Sequence, residues 1–345
     1  METEKKWCVS NQPFYKKGHW PERVDPGYSI EYAQLYEVKE SGTAERFSYK
    51  SEKGRVDHVY IKRMIPFILG NDTYYDITTP YGYGGPVIIY GEDTEGLLKE
   101  YYQAFHAYCI DQRIVSEFVR FHLFESNNVR EQYYGEVSLV GAHIVNPLCD
   151  PLKSDMSSDV KRSLRKAEKL GMTIHFDTTG ENIDQFLAIY CDMLIRNQAS
   201  SYYYFDREFF DDLHKKLKGR FVYVFAEIDG TIISLRLALY GSRYGFGFLG
   251  GTLKEFFHTQ ATTVVDYHIL EFLKTQDCSY FSFGGGINGN DGIYKYKTKF
   301  NRNGDHPSYV GKKIHLPEVY DLIVSKRSEL SPFDPDTSFF PLYRS

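Results

Sequence analysis

The chain has 345 residues, more than one ordinary hydrophobic core organises, so two domains are expected. Hydrophobic residues at 42% and charged residues at 25% are normal for a soluble globular protein. A formal net charge of −5 argues against a general nucleic-acid binder and leaves room only for a local basic patch.

No run of about eighteen apolar residues is present that could span a membrane. The opening METEKKWCVSNQPFYKKGHW lacks the apolar core of a secretory signal, so a cytoplasmic protein is expected. Cys8, Cys109, Cys149, Cys191 and Cys278 form no CxxC pair, and the histidines show no HExxH spacing. A metal site or a disulfide framework is therefore not expected. The 30 tyrosines and 25 phenylalanines could line a stacking cleft, but codon usage in an AT-rich genome explains them better.

Residues 1–50 read as polar, with short apolar groups. Val56–Leu69 alternates well enough for a strand or two, and Thr73–Pro80 is β-branched and aromatic, hence a strand. Tyr81–Pro86 (YGYGGP) is a loop punctuated by glycine and proline, with Tyr83 at its centre. Gly96–Gln112 spaces Leu97, Leu98, Tyr101, Tyr102, Phe105 and Tyr108 as a helix does. Val115–Phe124 and Val137–Val145 read as strands. Asn146–Asp159 is rich in Pro, Asp and Ser and reads as the link between halves.

Asp159 is a candidate cap for the helix Val160–Leu170, and Gly171 a left-handed stop. A strand at Met172–Asp177 and helices at Asn182–Asn197 and Arg207–Gly219 follow. Phe221–Gly251 holds three strands, the first turn being Asp229-Gly230, a type I′ signal. A helix at Thr259–Gln276 and a strand at Tyr280–Gly286, entering a glycine loop, complete the pattern. The sequence predicts an α/β (α+β) fold of two halves, each a mixed, largely antiparallel sheet flanked by helices. The first half is read as residues 1–152, completed by 318–345, and the second as 153–317.

Three stretches carry a family resemblance: RSLRKAEKLGM (Arg162–Met172), FAEIDGTIISLRLALYGSRYGFGFLGGT (Phe225–Thr252), and FGGGINGNDGIYKYKTKFN (Phe283–Asn301) with YVGKKIHLPEVYDLI (Tyr309–Ile323). Together they resemble the Fem-type branch of the GNAT acyltransferase superfamily, from about Thr78 to Ile323 and most strongly after Asp159. That branch includes aminoacyl-tRNA-dependent transferases of peptidoglycan bridges and GNAT-domain proteins of polysaccharide loci. The resemblance implies a double GNAT architecture and an acyl or aminoacyl transfer to an amine. The long helical arm of the bridge-forming enzymes is missing from this sequence. Lys16, Lys17 and Lys62 are all candidates for the family's N-terminal substrate-binding lysine.

The most diagnostic short element is Tyr296-Lys297-Thr298-Lys299-Phe300, and the resemblance implies that Lys297 is catalytic. A lysine after a glycine loop can neutralise an acceptor phosphate or stabilise the oxyanion of a tetrahedral intermediate. Gly284, Gly285 and Gly286 allow close approach of a backbone and could bind an anion through successive N–H groups. No Walker lysine follows them, so ATP is not indicated. Arg162, Arg165, Lys166 and Lys169 share one helix face and are candidate phosphate or nucleic-acid contacts, although a solvated face has the same pattern. Arg236 lies in an apolar strand, where a charge must be paired or face a cleft. Arg196 ends a helix and suits its C-terminal dipole. Both are candidate substrate binders, with Tyr244, Tyr204, Tyr296 and Tyr83. Asp291, Tyr244, Tyr204 and His258 are candidate bases.

An acyl-CoA enzyme normally offers a glycine-rich turn at the helix after the central strands. Lys254–Thr263 has no glycine there, which favours aminoacyl-tRNA as donor over acyl-CoA, with no tightly bound cofactor. The expected acceptor is the amine of a small or lipid-linked cell-envelope precursor, with tRNA as a further partner. An acyl-CoA-dependent N-acetyltransferase of an amino sugar or amino acid is the second reading. A non-catalytic GNAT-fold binding protein is the third.

Overall fold

A computed structural model describes residues 7–10, 24–67, 72–152, 155–286, 291–330, 334, 337 and 339–345. In chain order the elements begin with β1 (Trp7–Ser10), α1 (Ile30–Gln34), α2 (Glu37–Glu40), β2 (Gly42–Ser51), β3 (Gly54–Met64), β4 (Tyr75–Thr78) and β5 (Gly85–Gly91). There follow α3 (Thr94–Asp111), β6 (Ile114–Arg120), α4 (Asn127–Glu131), β7 (Glu136–Pro147), α5 (Ser158–Lys169) and β8 (Thr173–Asp177). Next come α6 (Ile183–Arg196), α7 (Arg207–Lys216), β9 (Phe221–Ile228), β10 (Thr231–Tyr240), β11 (Tyr244–Thr252) and α8 (Ala261–Thr275). The last are β12 (Tyr280–Ser282), α9 (Gly292–Lys297), β13 (Asp305–Ile314) and α10 (Pro317–Leu330). Lys16 and Lys17, and residues 287–290 of the glycine loop, lie outside the described residues.

Two compact units divide the chain. Among the described residues, the first comprises those of 7–10, 27–140 and 308–345, and the second those of 24–26 and 141–307. The change-over falls at Gly141 and the return at Ser308, whereas composition places them at 152–153 and 317–318.

In the first unit the strands run β1-β2-β3-β4-β6-β13, with β5 on β3. All pairings are antiparallel except β4 with β6. Asp93 caps α3 by accepting the Gly96 N–H at 3.0 Å. The helix then buries Leu97, Leu98, Tyr101, Tyr102, Phe105 and Tyr108, the residues its period selects. β13 and α10 join this unit from the far end of the chain, and α10 packs Tyr320 and Ile323 with Val115 of β6 and Tyr343.

In the second unit the order is β7-β12-β11-β10-β9-β8, antiparallel except for the parallel pair β11–β12. The β9–β10 turn has positive φ at both Asp229 (49°) and Gly230 (76°), as a type I′ turn requires. α5 and α8 close one core, in which Val160, Leu164 and Ala167 meet Val264, Val265, Ile269 and Leu273 over strand residues such as Val222, Val224 and Ala238. Both units have the mixed, largely antiparallel sheet flanked by helices that the sequence predicts.

One cap differs from the sequence reading. Ser157, in extended conformation, is the N-cap of α5, and Asp159 lies inside the first turn. There its carboxylate pairs with Arg162 at 2.6 Å and Lys299 at 3.2 Å, and its negative charge suits the helix start. Gly171 stops the helix at φ 64°.

Candidate active site

The site of the second unit grows from the end of β12. After Ser282 the chain keeps contact with β7: the Phe283 N–H donates to the Ile144 carbonyl at 2.9 Å, and the Ile144 N–H to the Gly284 carbonyl at 3.2 Å. Gly284 then turns the chain at φ 80°, a conformation that disfavours a side chain. A Cβ on Gly284 would lie 3.2 Å from the Lys297 amine. One on Gly285 would lie 2.9 Å from the Ala142 carbonyl oxygen and 3.7 Å from the His143 ring. The glycines therefore let β7, the loop and Lys297 converge.

α9 is built to present Lys297. Asp291 caps it by accepting the Tyr294 N–H at 2.8 Å. Beyond the helix, fully buried Phe300 packs on Phe283 at 4.6 Å between ring centroids and on Tyr296 at 5.8 Å. The Asn146 amide donates to the Phe300 carbonyl at 3.1 Å, and the Asn301 amide to the Val145 carbonyl at 2.7 Å. These bonds fix the segment against β7. The Lys297 amine donates to the Gly285 carbonyl at 2.7 Å.

Beneath it lies a charged cluster. Arg236 of β10 grips Asp266 of α8 with two bonds, Nε to Oδ1 at 2.8 Å and Nη2 to Oδ2 at 3.0 Å. The Tyr296 hydroxyl donates to the same Oδ2 at 2.8 Å. Burial alone would lower the Arg236 pKa, but the Asp266 charge holds it above the ordinary guanidinium value. Burial and the neighbouring carboxylate push the Tyr296 hydroxyl well up. Arg236 is thus a paired charge whose carboxylate partner is internal.

Burial, and next the Arg236 charge, bring the Lys297 amine down to about 8, against the pull of Asp266 and Asp291. His143 of β7, which no sequence pattern singled out, sits beside the same glycines. Burial, then the charges of Lys297 and His306, lower its pKa to about 4. The site therefore holds an ammonium and a neutral imidazole at neutral pH, over a backbone without side chains.

Other sequence candidates lie elsewhere. Tyr244 opens β11 opposite Tyr280, at the far end of β12 from Gly284, roughly 13 Å away at the usual strand rise. Arg196 ends α6, pairs with Asp192, and donates to the Thr252 carbonyl at 3.1 Å. Tyr204 is exposed after α7's preceding turn, and Tyr83 belongs to the first unit. On α5, Arg162, Arg165 and Lys169 are exposed, and Lys166 donates to the His258 carbonyl at 2.5 Å. That bond sets the basic face against the turn that opens α8. Gln260 starts α8 in a left-handed conformation, φ 66°. A cavity of about 570 Å³ runs along α8 between Asp150, Tyr267, Glu271 and Lys274, and Lys297 does not line it.

Among the described residues, no group of three or more His, Cys, Asp or Glu side chains could hold a metal, and no helix is long and apolar enough to cross a membrane.

Residues 154–298 match the family described as "Acetyltransferase (GNAT) domain". Among solved structures the chain is similar to the crystal structure of FemX, with a TM-score of 0.69 and 12% identity over 88% of this chain and 95% of that one. It is also similar to a conserved protein of unknown function from Bacteroides thetaiotaomicron VPI-5482, with a TM-score of 0.56 and 11% identity over 85% and 92% of the two chains. A third is a C-terminal DUF2156 domain from Agrobacterium fabrum, assigned by name to a lysylphosphatidylglycerol synthetase. Its TM-score is 0.53, at 13% identity over 81% and 88%. No curated protein matches the sequence. At these identities the structural likeness is one of fold.

The second unit is thus a GNAT acetyltransferase-type domain within a fold shared with FemX. The domain match over residues 154–298 supports an acyltransferase activity for this unit.

Proposed function

We propose that the protein transfers an aminoacyl or acyl group to an amine, and that Lys297 stabilises the oxyanion. The observation that carries this reading is the half-buried Lys297 amine, held by the Gly285 carbonyl beside a glycine run and within the field of the Arg236–Asp266 pair, whose carboxylate is buried. A free amine attacks the acyl carbonyl and a C–N bond forms. Negative charge grows on the carbonyl oxygen, where a fixed ammonium in a partly dry site acts more strongly than in water. The bond to the leaving oxygen or sulfur then breaks.

Aminoacyl-tRNA is the preferred donor. The basic face of α5 lies against the turn that opens α8, through the Lys166–His258 bond, and supplies cations for phosphates. The acceptor is an amine on a small or lipid-linked cell-envelope precursor, met in the cytoplasm, and no cofactor stays tightly bound. Acyl-CoA is the second reading, because the matched family is an acetyltransferase domain. Against it, the turn into α8 has no glycine where a pyrophosphate would approach, and Gln260 occupies the left-handed position.

The test compares labelled transfer from a tRNA pool charged with mixed amino acids and from acetyl-CoA. The acceptor is a peptidoglycan stem peptide with a free side-chain amine. Ribonuclease-sensitive transfer establishes the first reading. Transfer from acetyl-CoA alone establishes the second.

A further inference from the structure

We propose that the turn Lys254–Thr259, which leads into α8, is a stacking platform for the unpaired nucleotides at the 3′ end of an RNA, with Phe257 as its ring and the basic face of α5 as its phosphate contact. The site rests on the aminoacyl-tRNA reading above and names how that donor is gripped. Phe256 packs on the core of the second unit, while its neighbour Phe257 is 50% exposed. His258 is exposed as well, its ring stacked on Phe256 with 6.4 Å between centroids. Two aromatic rings in succession therefore meet solvent.

The turn that carries them is stiff. The Leu253 N–H donates to the Ile233 carbonyl at 2.9 Å, the Phe256 N–H to the Leu253 carbonyl at 3.0 Å, and the Gln260 N–H to the Phe257 carbonyl at 3.2 Å. Buried Thr259 donates its hydroxyl to the Phe256 carbonyl at 2.7 Å and accepts the Ala261 N–H at 3.2 Å. A ring on ordered backbone loses little entropy when a base covers it.

Cations adjoin the rings. Arg196 of α6 sets its guanidinium 5.1 Å from the Phe257 ring centre and is itself held by Asp192 and the Thr252 carbonyl. One residue on, Lys166 of α5 donates to the His258 carbonyl at 2.5 Å. α5 carries Lys161, Arg162, Arg165, Lys166 and Lys169 against Asp159 and Glu168, and Asp159 is paired with Arg162 and Lys299. Such an excess of positive charge, on a chain of formal net charge −5, complements a polyanion.

The occupant follows from having both features together. An apolar partner needs a wider apolar surface, but Lys254, Glu255, His258 and Gln260 about Phe257 are exposed and polar. Duplex RNA brings phosphates and no open base. An unpaired 3′ end brings both, a flat base for Phe257 and phosphates for α5. The segment whose lack of glycine disfavours a diphosphate thus presents rings in its place.

The experiment measures binding of the full-length protein to two labelled RNA hairpins, one blunt and one with a short unpaired 3′ tail, at about 0.1 M salt. Wild type should prefer the tailed hairpin about 5- to 150-fold, the range for stacking one base. Phe257→Ala and Phe257→Leu should bind the two hairpins alike, with thermal melts as folding controls. Phe257→Tyr keeps a ring and should keep the preference. Lys169→Gln should weaken both hairpins, preserve their ratio and reduce the salt dependence. A tail preference that survives in Phe257→Leu, or a wild type that binds both hairpins equally, overturns the platform and leaves the RNA donor standing. Binding of acetyl-CoA that Phe257→Leu weakens, with no preference for the tail, assigns the ring to the thioester's adenine and overturns the proposal. A wild type that binds neither hairpin overturns the aminoacyl-tRNA reading and the platform with it.

Discussion

Lys297 should be worth more to the reaction than to the fold, and Lys297→Met separates the two. Its amine titrates near 8 because burial and Arg236 oppose the charge. The ordinary lysine value is about 10.4, so the ammonium costs roughly 3 kcal/mol at neutral pH. Partial exposure reduces this to about 2 kcal/mol. Methionine removes that cost but also loses the bond to Gly285, worth about 1 kcal/mol. The net expectation at pH 7 is a variant more stable by about 1 kcal/mol, with transfer lowered about 100- to 1000-fold. The pH dependence has a definite sign. Below pH 8 both folded and unfolded wild type carry the proton and the cost is complete. Between about 8 and 10.4 the folded protein sheds the proton first, so wild type gains on the variant. Urea unfolding of both proteins at pH 7 and pH 9.5 measures this. A variant destabilised by more than about 1 kcal/mol at pH 7, or a stability difference that ignores pH, would refute the reasoning.

Asp266→Asn should cost about 3–5 kcal/mol in urea unfolding, because it strips Arg236 of its buried partner. Gly284→Ala should cost about 1–2 kcal/mol for its positive φ and should also slow transfer by crowding the Lys297 amine, read from melts and rates on one preparation. Lys297→Arg should retain the charge at higher pH, moving upward any fall in kcat/KM that wild type shows near pH 8. In the first unit, burial lowers fully enclosed His58 to about 4 despite Glu117 at 3.7 Å. The unfolded chain therefore takes up that proton first, and stability should fall by about 3 kcal/mol as pH drops from 6.5 to 4. His58→Gln should flatten that slope. Glu117 adds to the loss at lower pH: burial would raise its pKa, but the His315 hydrogen bond, the two histidines and Tyr134 together depress it.

What the sequence disclosed followed from periodicity. α3, α5, α6 and α8 each bury a stripe at helical spacing, and the β9–β10 hairpin is written in Asp229-Gly230. β2 escaped because its buried residues include Arg46 and Ser48, which break any alternation. β13 escaped because Pro307, Lys312 and Lys313 interrupt its apolar alternation. α9 has six residues, too few to show a period.

The site was legible only in part, for a physical reason. Lys297 and the glycines are adjacent in sequence, so a motif can carry them. His143 lies more than a hundred residues earlier and reaches them only because β7 pairs with β12 through Val145–Ser282. A lone histidine in an apolar strand has no pattern to announce it. The Arg236–Asp266 pair did leave a trace. Each charge stands alone in an apolar segment, SLRLALY and TVVDYHIL, and an isolated buried charge requires a partner of opposite sign. Reading the two segments together would have joined β10 to α8 before any coordinates. It would also have given Arg236 an internal partner and set its charge, after burial, among the causes that lower the Lys297 pKa. That pair therefore links core to chemistry: the bond that closes α8 onto the sheet also puts beside the lysine a cation that adds to the effect of burial on its pKa and a carboxylate that opposes it.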